Sequence, residues 1–378
     1  MEYRGTCSGL WLNGANMTDS KFQQLKRLEP IVRADALLNL AFERMNPEPM
    51  LRFAADFGLI EIPGGGGTSY FRGHGEAPYL VSIKSSTRDH FVGFAFAARS
   101  ARDLETLASA MGAPIEELKS PGGGRRVVLQ DPWGLEVSLV HGVKAESPLD
   151  VQHAEPPVNT PYRKARVNSP VRTRLRPSPL FKVGHVVLQR PDFRAAADWY
   201  MRHFGLIPSD VQCLPDGQPA LGFFRLDRGS EPADHHTLAL LGGPGANLMH
   251  VSFETLDLDA VGQGNQYLRA QGWTHFWGIG RHVLGSQVFD YWKDPAGDEW
   301  EHYADGDVMN ADYPTGYSPL TRGGLWAWGD DLPDSLRPEV PLDQIENIHA
   351  AGGFGPIGLS EVRGLMQAMS IQPRPWMR

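Results

Sequence analysis

The sequence contains an internal repeat. Two stretches that predict helices, "PEPMLRFAADFGL" (47–59) and "PDFRAAADWYMRHFGL" (191–206), both end in Phe-Gly-Leu. Two later stretches that predict hairpins, "VVLQDPWGLEVSLVH" (127–141) and "VFDYWKDPAGDEWEHY" (288–303), each contain an Asp-Pro-x-Gly turn. A repeat of this length indicates duplicated supersecondary units. Each half shows the order strand, helix, strands twice. We therefore predict an α+β fold of tandem βαβββ modules, with two duplicated domains that each form a β-sheet cup or barrel.

The segments outside the repeats set the expected domain boundaries. A short helix is predicted within "TDSKFQQLKRLEP" (18–30), with Asp19 or Ser20 as N-cap and Pro30 after its end. The Pro-rich linker carries six basic residues between Arg163 and Arg176. These residues could bind an acidic partner, or the segment could be a linker that is solvated or packed at an interface. The predicted parts are a leader (1–30), an N-terminal domain without a metal site (31–143), the linker (144–180), a C-terminal catalytic domain (181–305) and a tail (306–378).

Composition excludes few function classes. The chain has 378 residues, a formal net charge of −8 and a pI near 5.9, which argues against nucleic acid as the main partner. It has two cysteines, Cys7 and Cys213, which fits a reducing compartment better than a disulfide framework. No stretch approaches the roughly 18 apolar residues of a membrane span, and the start does not resemble a signal peptide. We expect a cytoplasmic protein with no membrane partner.

The two halves differ at positions that suit metal ligands. Alternation along each strand places His185, His250 and Glu301 on strand faces that can all point into one cup. Two imidazoles and one carboxylate form a facial triad, which suits non-heme Fe(II), whereas a structural zinc site more often uses thiolates. Alignment of the repeats gives the pairs His185 against Asn39, His250 near Val92, and Glu301 against Ser138.

The C-terminal half resembles the type I extradiol ring-cleavage dioxygenases of the vicinal oxygen chelate superfamily. The resemblance lies in "VGHVVL", "HHTLAL", "NLMHVSFE", "GRHVLGSQVFDYWKDP" and "GDEWEHY". It implies that His185, His250 and Glu301 bind iron. It also implies that His236 is the acid–base residue and that His282 and Tyr291 hydrogen-bond to substrate and oxygen species.

Two positions within these motifs need comment. His235 competes with His236 for the acid–base role, but the two point to opposite faces of an extended strand. The spacing of fourteen residues to His250 favours His236 and leaves His235 as a surface or loop imidazole. Met249 stands where the family often has a second histidine, which concerns the substrate pocket more than the metal.

The implied activity is extradiol cleavage of a catechol by dioxygen at Fe(II), with Mn(II) possible because its ligands would be the same. The family's members are usually homo-oligomers. Two alternatives stay open: a metal-dependent lyase or isomerase of the same superfamily, and a non-catalytic module that binds an aromatic compound. For the tail we expect residues 310–330 to lid the pocket and the remainder to pack against another chain; a tail packed only on its own domain is the alternative.

Overall fold

The structure, a computed structural model, describes residues 21–151, 158–172, 174–333, 344–350, 352 and 357–370. The elements of the N-terminal half are β1 (Ala34–Arg44), α1 (Pro47–Phe57), β2 (Ile60–Gly65), β3 (Thr68–Arg72), β4 (Val81–Ser85), β5 (His90–Ala98), α2 (Ala101–Met111), β6 (Ile115–Glu117), β7 (Arg125–Gln130) and β8 (Glu136–His141).

The C-terminal half repeats this order and then adds the elements of the tail. Its elements are β9 (Leu180–Arg190), α3 (Phe193–Phe204), β10 (Ile207–Cys213), β11 (Pro219–Arg225), β12 (Ala233–Asp234), β13 (Leu238–Gly242), β14 (Leu248–Thr255), α4 (Leu258–Gln271), β15 (Thr274–His282), β16 (Val288–Lys293) and β17 (Glu299–Ala304). The tail elements are β18 (Val308–Met309), β19 (Gly316–Pro319), a 3₁₀ turn (Arg322–Gly324), β20 (Trp326–Gly329), α5 (Ile345–Ala350) and α6 (Leu359–Ser370).

The two main sheets have the same strand order. The N-terminal sheet runs β2-β3-β4-β1-β5-β8-β7-β6 and the C-terminal sheet runs β10-β11-β13-β9-β14-β17-β16-β15, with β19 and β20 added at its edges. Each set consists of two βαβββ units, and the central pairs β1–β5 and β9–β14 are antiparallel. The predicted α+β fold of tandem βαβββ modules is confirmed.

Two buried ion pairs connect the halves in a reciprocal way. Arg44, the last residue of β1, donates to Asp294 at 2.8 Å, and Arg190, the last residue of β9, donates to Asp131 at 2.7 and 2.9 Å. Each of these arginine and aspartate side chains is 2% exposed or less. Both aspartates open the Asp-Pro-x-Gly turns seen in the sequence, and their other oxygen accepts hydrogen bonds from backbone N–H groups of the turn. Each half therefore clamps the hairpin of the other.

The predicted leader helix is wrong for the residues that the structure describes. From Gln23 to Ile31 the chain is not helical. The backbone N–H of Gln23 donates to the carbonyl of Gly217 at 2.9 Å, and that of Leu25 donates to the hydroxyl of Tyr317 at 2.9 Å. These long-range bonds satisfy backbone groups that a helix would have paired locally. Asp19 and Ser20, the expected caps, lie outside the described residues.

The linker follows the N-terminal sheet domain as an extended segment. The backbone N–H of Glu146 donates to the carbonyl of Glu76, and that of Leu149 donates to His74. At its far end the Ser178 hydroxyl is buried and lies 2.6 Å from the Thr255 hydroxyl. Among the helices of the described residues, none is long and apolar enough to cross a lipid bilayer.

Candidate metal centre and active site

Three neighbouring strands of the C-terminal sheet bring two imidazoles and a carboxylate together. In the ladder, His185 of β9 lies opposite Ser252 of β14, which lies opposite Glu301 of β17. His185 Nε2 is 3.3 Å from His250 Nε2 and 2.9 Å from Glu301 Oε2, and His250 Nε2 is 3.5 Å from the same oxygen. Ligands at roughly 2.1 Å from one ion and at right angles to each other are about 3 Å apart. The triangle therefore has the size of one face of an octahedral metal site.

The electrostatics of the triangle also fit a cation. Burial lowers the pKa of His250 to about 3. The negative charge of Glu301 raises this pKa in part, and the neighbouring His185 and His282 lower it further. Burial alone would raise the pKa of Glu301, but His185, His282 and His250 hold it well below its ordinary value. The neutral His250 nitrogen and the Glu301 carboxylate thus both present lone pairs to one point, which a divalent metal would satisfy. The site has the donors that such an ion requires.

His282 and Tyr291 lie beside the carboxylate ligand. Nδ1 of His282 lies 2.8 Å from the Leu325 carbonyl, which can only accept, so this nitrogen carries the proton. Nε2 is then free to accept from the Tyr291 hydroxyl at 3.0 Å, and it lies 3.6 Å from Glu301. Burial, with Glu301 next, raises the pKa of Tyr291 well above its ordinary value. Tyr291 is therefore a proton donor at the edge of the triangle.

The two adjacent histidines occupy different environments. His236 lines the cavity, and its ring centroid is 4.1 Å from that of His185. Burial, together with His185 and His235, lowers the pKa of His236 well below its ordinary value. His235 is 1% exposed and lies between Asp210, at 2.7 Å, and His236, at 3.0 Å. His235 does lie in a loop, the bend between β12 and β13, but the alternative of a surface position is wrong, because Asp210 of β10 and His236 enclose its ring. The two histidines are not part of an extended strand, so strand alternation does not separate them.

A cavity of about 570 Å³ opens onto these groups. His185, His236, His250, His282 and Tyr291 all line it. The tail contributes the rest of the wall, with Leu320, Leu325 and Leu332 from its first part and Leu365, Met366 and Met369 from α6.

The tail packs differently from the expectation. Residues of the predicted lid, 310–330, do line the cavity, but α6 does so as well. Leu365 and Ala368 of α6 pack with Leu214 and Ala220 of the same chain, and contact of the exposed side of this helix with another chain stays a prediction. This position of α6 is not predictable from local sequence patterns, because the helix is short and lies far along the chain from the strands that it covers.

The same positions in the N-terminal half cannot form such a site. Strand register pairs Gly93 with Glu136 as it pairs His250 with Glu299, so the equivalent of His250 is Gly93 and not Val92. Gly93 has φ of +152°, and a Cβ there would lie 1.8 Å from the Glu136 carbonyl oxygen. The other equivalents are Asn39 and Ser138. The space beside Asn39 measures about 10 Å³, because Tyr79, Leu118 and Pro121 are among the residues around it.

Comparison with known proteins agrees with this geometry. Residues 182–302 match the family model described as the Glyoxalase/Bleomycin resistance protein/Dioxygenase superfamily. Metapyrocatechase 2 of Cupriavidus necator is 35% identical over 155 residues, which are 40% of this chain. The match spans 46% of that relative's length.

Solved structures share the fold over most of the chain. The Mn(II)-bound glyoxalase from Novosphingobium aromaticivorans is 21% identical, with a TM-score of 0.68 over 82% of this chain and 95% of that one. Homoprotocatechuate 2,3-dioxygenase from Brevibacterium fuscum is 18% identical, with a TM-score of 0.65 over 82% and 94%. The 2,3-dioxygenase LapB from Pseudomonas sp. KL28 is 18% identical, with a TM-score of 0.62 over 76% and 98%. The chain has the vicinal oxygen chelate fold, and the part of it that matches the Glyoxalase/Bleomycin resistance protein/Dioxygenase superfamily model is residues 182–302, which include all three residues of the triangle.

Proposed function

We propose that this protein is an extradiol dioxygenase that cleaves the ring of a catechol with dioxygen at a mononuclear Fe(II) centre. The observation that carries the proposal is the triangle of His185, His250 and Glu301 beside the cavity, with no further carboxylate, histidine or cysteine joining that cluster among the described residues. Bound in this triad, a divalent metal supplies Lewis acidity to both catechol hydroxyls and open positions for dioxygen. The similarity to metapyrocatechase 2 supports the same chemistry.

The remaining polar groups have roles that follow from their positions. His236 is a neutral imidazole that faces the cavity, so it serves as the base that takes a catechol proton and later returns one. Tyr291 stays protonated, and its single hydroxyl proton can turn from His282 Nε2 to a bound catechol oxygen. His282 is held by the Leu325 carbonyl, so its Nε2 can orient Tyr291 or contact oxygen on the open side of the triad.

The surrounding wall keeps water away from the reaction. Apolar side chains dominate the cavity, and tail residues such as Leu325 and Leu332 close one side of it. Exclusion of water strengthens the interactions of the few polar groups and limits side reactions.

The test is a reconstitution experiment. The metal-free protein is loaded anaerobically with Fe(II) or Mn(II), mixed with a set of substituted catechols, and followed by oxygen uptake and by the absorbance of the ring-fission product. We expect equal consumption of oxygen and catechol with one of the two metals, and loss of both signals in His250→Ala. A loaded protein that binds catechols without consuming oxygen would contradict the proposal and favour a binding module. Turnover of a non-catechol substrate without oxygen would favour a lyase or isomerase.

A further inference from the structure

The wall of the cavity discriminates between classes of catechol. Strands contribute Val187, Leu221, Phe223 and Leu241, and these apolar groups face the apolar residues of the tail. A volume of about 570 Å³ lies within the range of sites for drug-sized ligands, and a bare catechol ring would leave much of it unfilled. The site therefore has room for a substituent next to the reacting ring.

The charges at the wall exclude an acidic substituent. Among the described residues, the cavity wall has no lysine or arginine; its polar members beyond the proposed site are three glutamines and Glu299. Lys293, the cation nearest to Glu299, lies 3.5 Å from that carboxylate and 4.5 Å from the centre of the Phe276 ring. A substrate carboxylate would be buried with no free lysine or arginine from the described part of the chain beside it, which is unfavourable.

We propose that the substrate is a catechol with a large, uncharged, apolar substituent, and that α6 contributes the wall against which this substituent packs. The inference rests on the proposed function and specifies its substrate class. Leu365, Met366 and Met369 lie on the cavity side of α6, whereas Arg363 and Gln367 are exposed on its other side. Methionine side chains adapt to irregular shapes, which suits a wall that contacts an alkyl chain or a second ring.

The test compares three catechols that differ only in the substituent: none, a hexyl chain, and the carboxymethyl group of dihydroxyphenylacetate. Each buried methylene favours binding by roughly fourfold, so burial of a little over half of the hexyl chain should raise kcat/KM above that of catechol by roughly 10²-fold. Dihydroxyphenylacetate should be poorer than catechol. Calorimetry under anaerobic conditions should give the same order of dissociation constants.

Variants of α6 separate this inference from the proposed function. Leu365→Ala combined with Met369→Ala should reduce the hexyl preference by roughly tenfold while catechol turnover persists, since two contacts are shortened. Gln367→Ala, on the exposed side, should change neither value. If catechol and dihydroxyphenylacetate are used as well as the hexyl compound, the substrate inference is wrong although the enzyme is a dioxygenase. If no catechol consumes oxygen, the proposed function itself fails.

A second inference follows from the row Asp210, His235 and His236. The Asp210 carboxylate can only accept, so Nε2 of His235 carries the proton that lies between them. In neutral His235, Nδ1 is then an acceptor, and Nδ1 of His236 must donate to it across 3.0 Å. Nε2 is the nitrogen of His236 that remains with a lone pair.

We infer that Asp210 and His235 are positioning residues that fix the tautomer of His236, so that its basic Nε2 is available to the catechol. In catalytic triads a carboxylate holds the catalytic histidine in one tautomer. Here Asp210 would act on His236 in the same way, with the His235 imidazole between them. Neither residue lines the cavity, and neither is one of the proposed metal ligands. Their effect on turnover would pass entirely through His236.

Asp210→Asn tests this role with little change of shape. The amide can donate to His235 Nε2 and reverse both hydrogen bonds, so we expect kcat to fall by roughly 10- to 10³-fold. Metal content and the anaerobic dissociation constant for catechol should stay within about twofold of wild type. Nitrogen NMR of the imidazoles in the full chain should show the protonated nitrogen of His236 move from Nδ1 to Nε2.

The control is Asp234→Asn, which removes the neighbouring carboxylate that pairs with Lys182 at 2.6 Å; the carboxylate that accepts from His235 belongs to Asp210 instead. It should leave kcat near wild type. An Asp210→Asn protein with unchanged kcat, or one in which kcat falls only together with metal content, would overturn the positioning role.

Discussion

Strands β1 and β9 have the same length, pair with equivalent neighbours and end in an arginine that reaches the opposite half. Five residues before that arginine they diverge: β1 has Asn39 and β9 has His185. The space beside Asn39 measures about 10 Å³, whereas His185 lies at a cavity of about 570 Å³. The two halves are thus alike at the arginines that form ion pairs between them, and they differ at the position where the C-terminal half has the proposed site. The predictions below compare equivalent positions.

The largest contrast is expected between Glu301→Ala and Ser138→Ala, which remove equivalent side chains. Loss of the carboxylate ligand should reduce catechol turnover by at least about 10³-fold, because the triad can no longer hold the metal. Ser138→Ala should leave turnover near wild type. Steady-state oxygen uptake measures both. Comparable losses in the two variants would show that the N-terminal half takes part in the chemistry.

The acid–base position gives the next contrast. Strand register makes Tyr79 the equivalent of His236. Val81 pairs with the residue after Asn39 as Leu238 pairs with the residue after His185, and Tyr79 and His236 each lie two residues earlier. His236→Phe should retain the metal and slow kcat by roughly 10²–10⁴-fold, the usual scale of general acid–base catalysis. Tyr79→Phe loses one hydrogen bond to Ser120 and should leave kcat unchanged. Full activity of His236→Phe would require another base.

The two reciprocal ion pairs should contribute similarly to the free energy of unfolding, unlike the equivalent positions of the proposed site. Arg44→Ala and Arg190→Ala each leave a buried aspartate without its partner, so each should lower the free energy of unfolding by about 3–5 kcal/mol. Arg126→Ala, which breaks an exposed pair with Glu116, should cost at most about 1 kcal/mol. Urea denaturation gives the three values. A marked difference between Arg44→Ala and Arg190→Ala would show that the two clamps are not equivalent.

The smallest effect is expected where ligands are added to the N-terminal half. Asn39→His combined with Ser138→Glu restores two ligand types but not the third, because Gly93 cannot carry a side chain in its backbone conformation. The double variant should bind no second metal, as measured by metal analysis per chain. A second equivalent would mean that the glycine is not the obstacle.

The sequence predicts much of this account because the informative patterns are local. The helices around Phe53 and Tyr200 and the paired Asp-Pro-x-Gly turns follow from periodicity and turn residues. Strand alternation alone places His185, His250 and Glu301 on faces that can converge, and the structure brings them together.

The features that sequence analysis misses depend on contacts between distant segments. The environment of His235 is set by Asp210, 25 residues away, and the extended leader is set by Gly217 and Tyr317. The two arginines at the strand ends are a repeated feature of the sequence, since each precedes its half's first helix and each half has one Asp-Pro-x-Gly turn. Each arginine pairs with the turn aspartate of the opposite half, and this choice of partner depends on how the two halves pack together.

The most direct test of the central claim is the metal content of three proteins: wild type, His185→Ala and Asn39→Ala. We predict about one divalent metal per chain in the wild type and in Asn39→Ala, and close to none in His185→Ala, because within the described part of the chain the three convergent ligands lie in the C-terminal half. A His185→Ala protein that keeps its full metal content, or an Asn39→Ala protein that loses it, would contradict the assignment of the site to the C-terminal half.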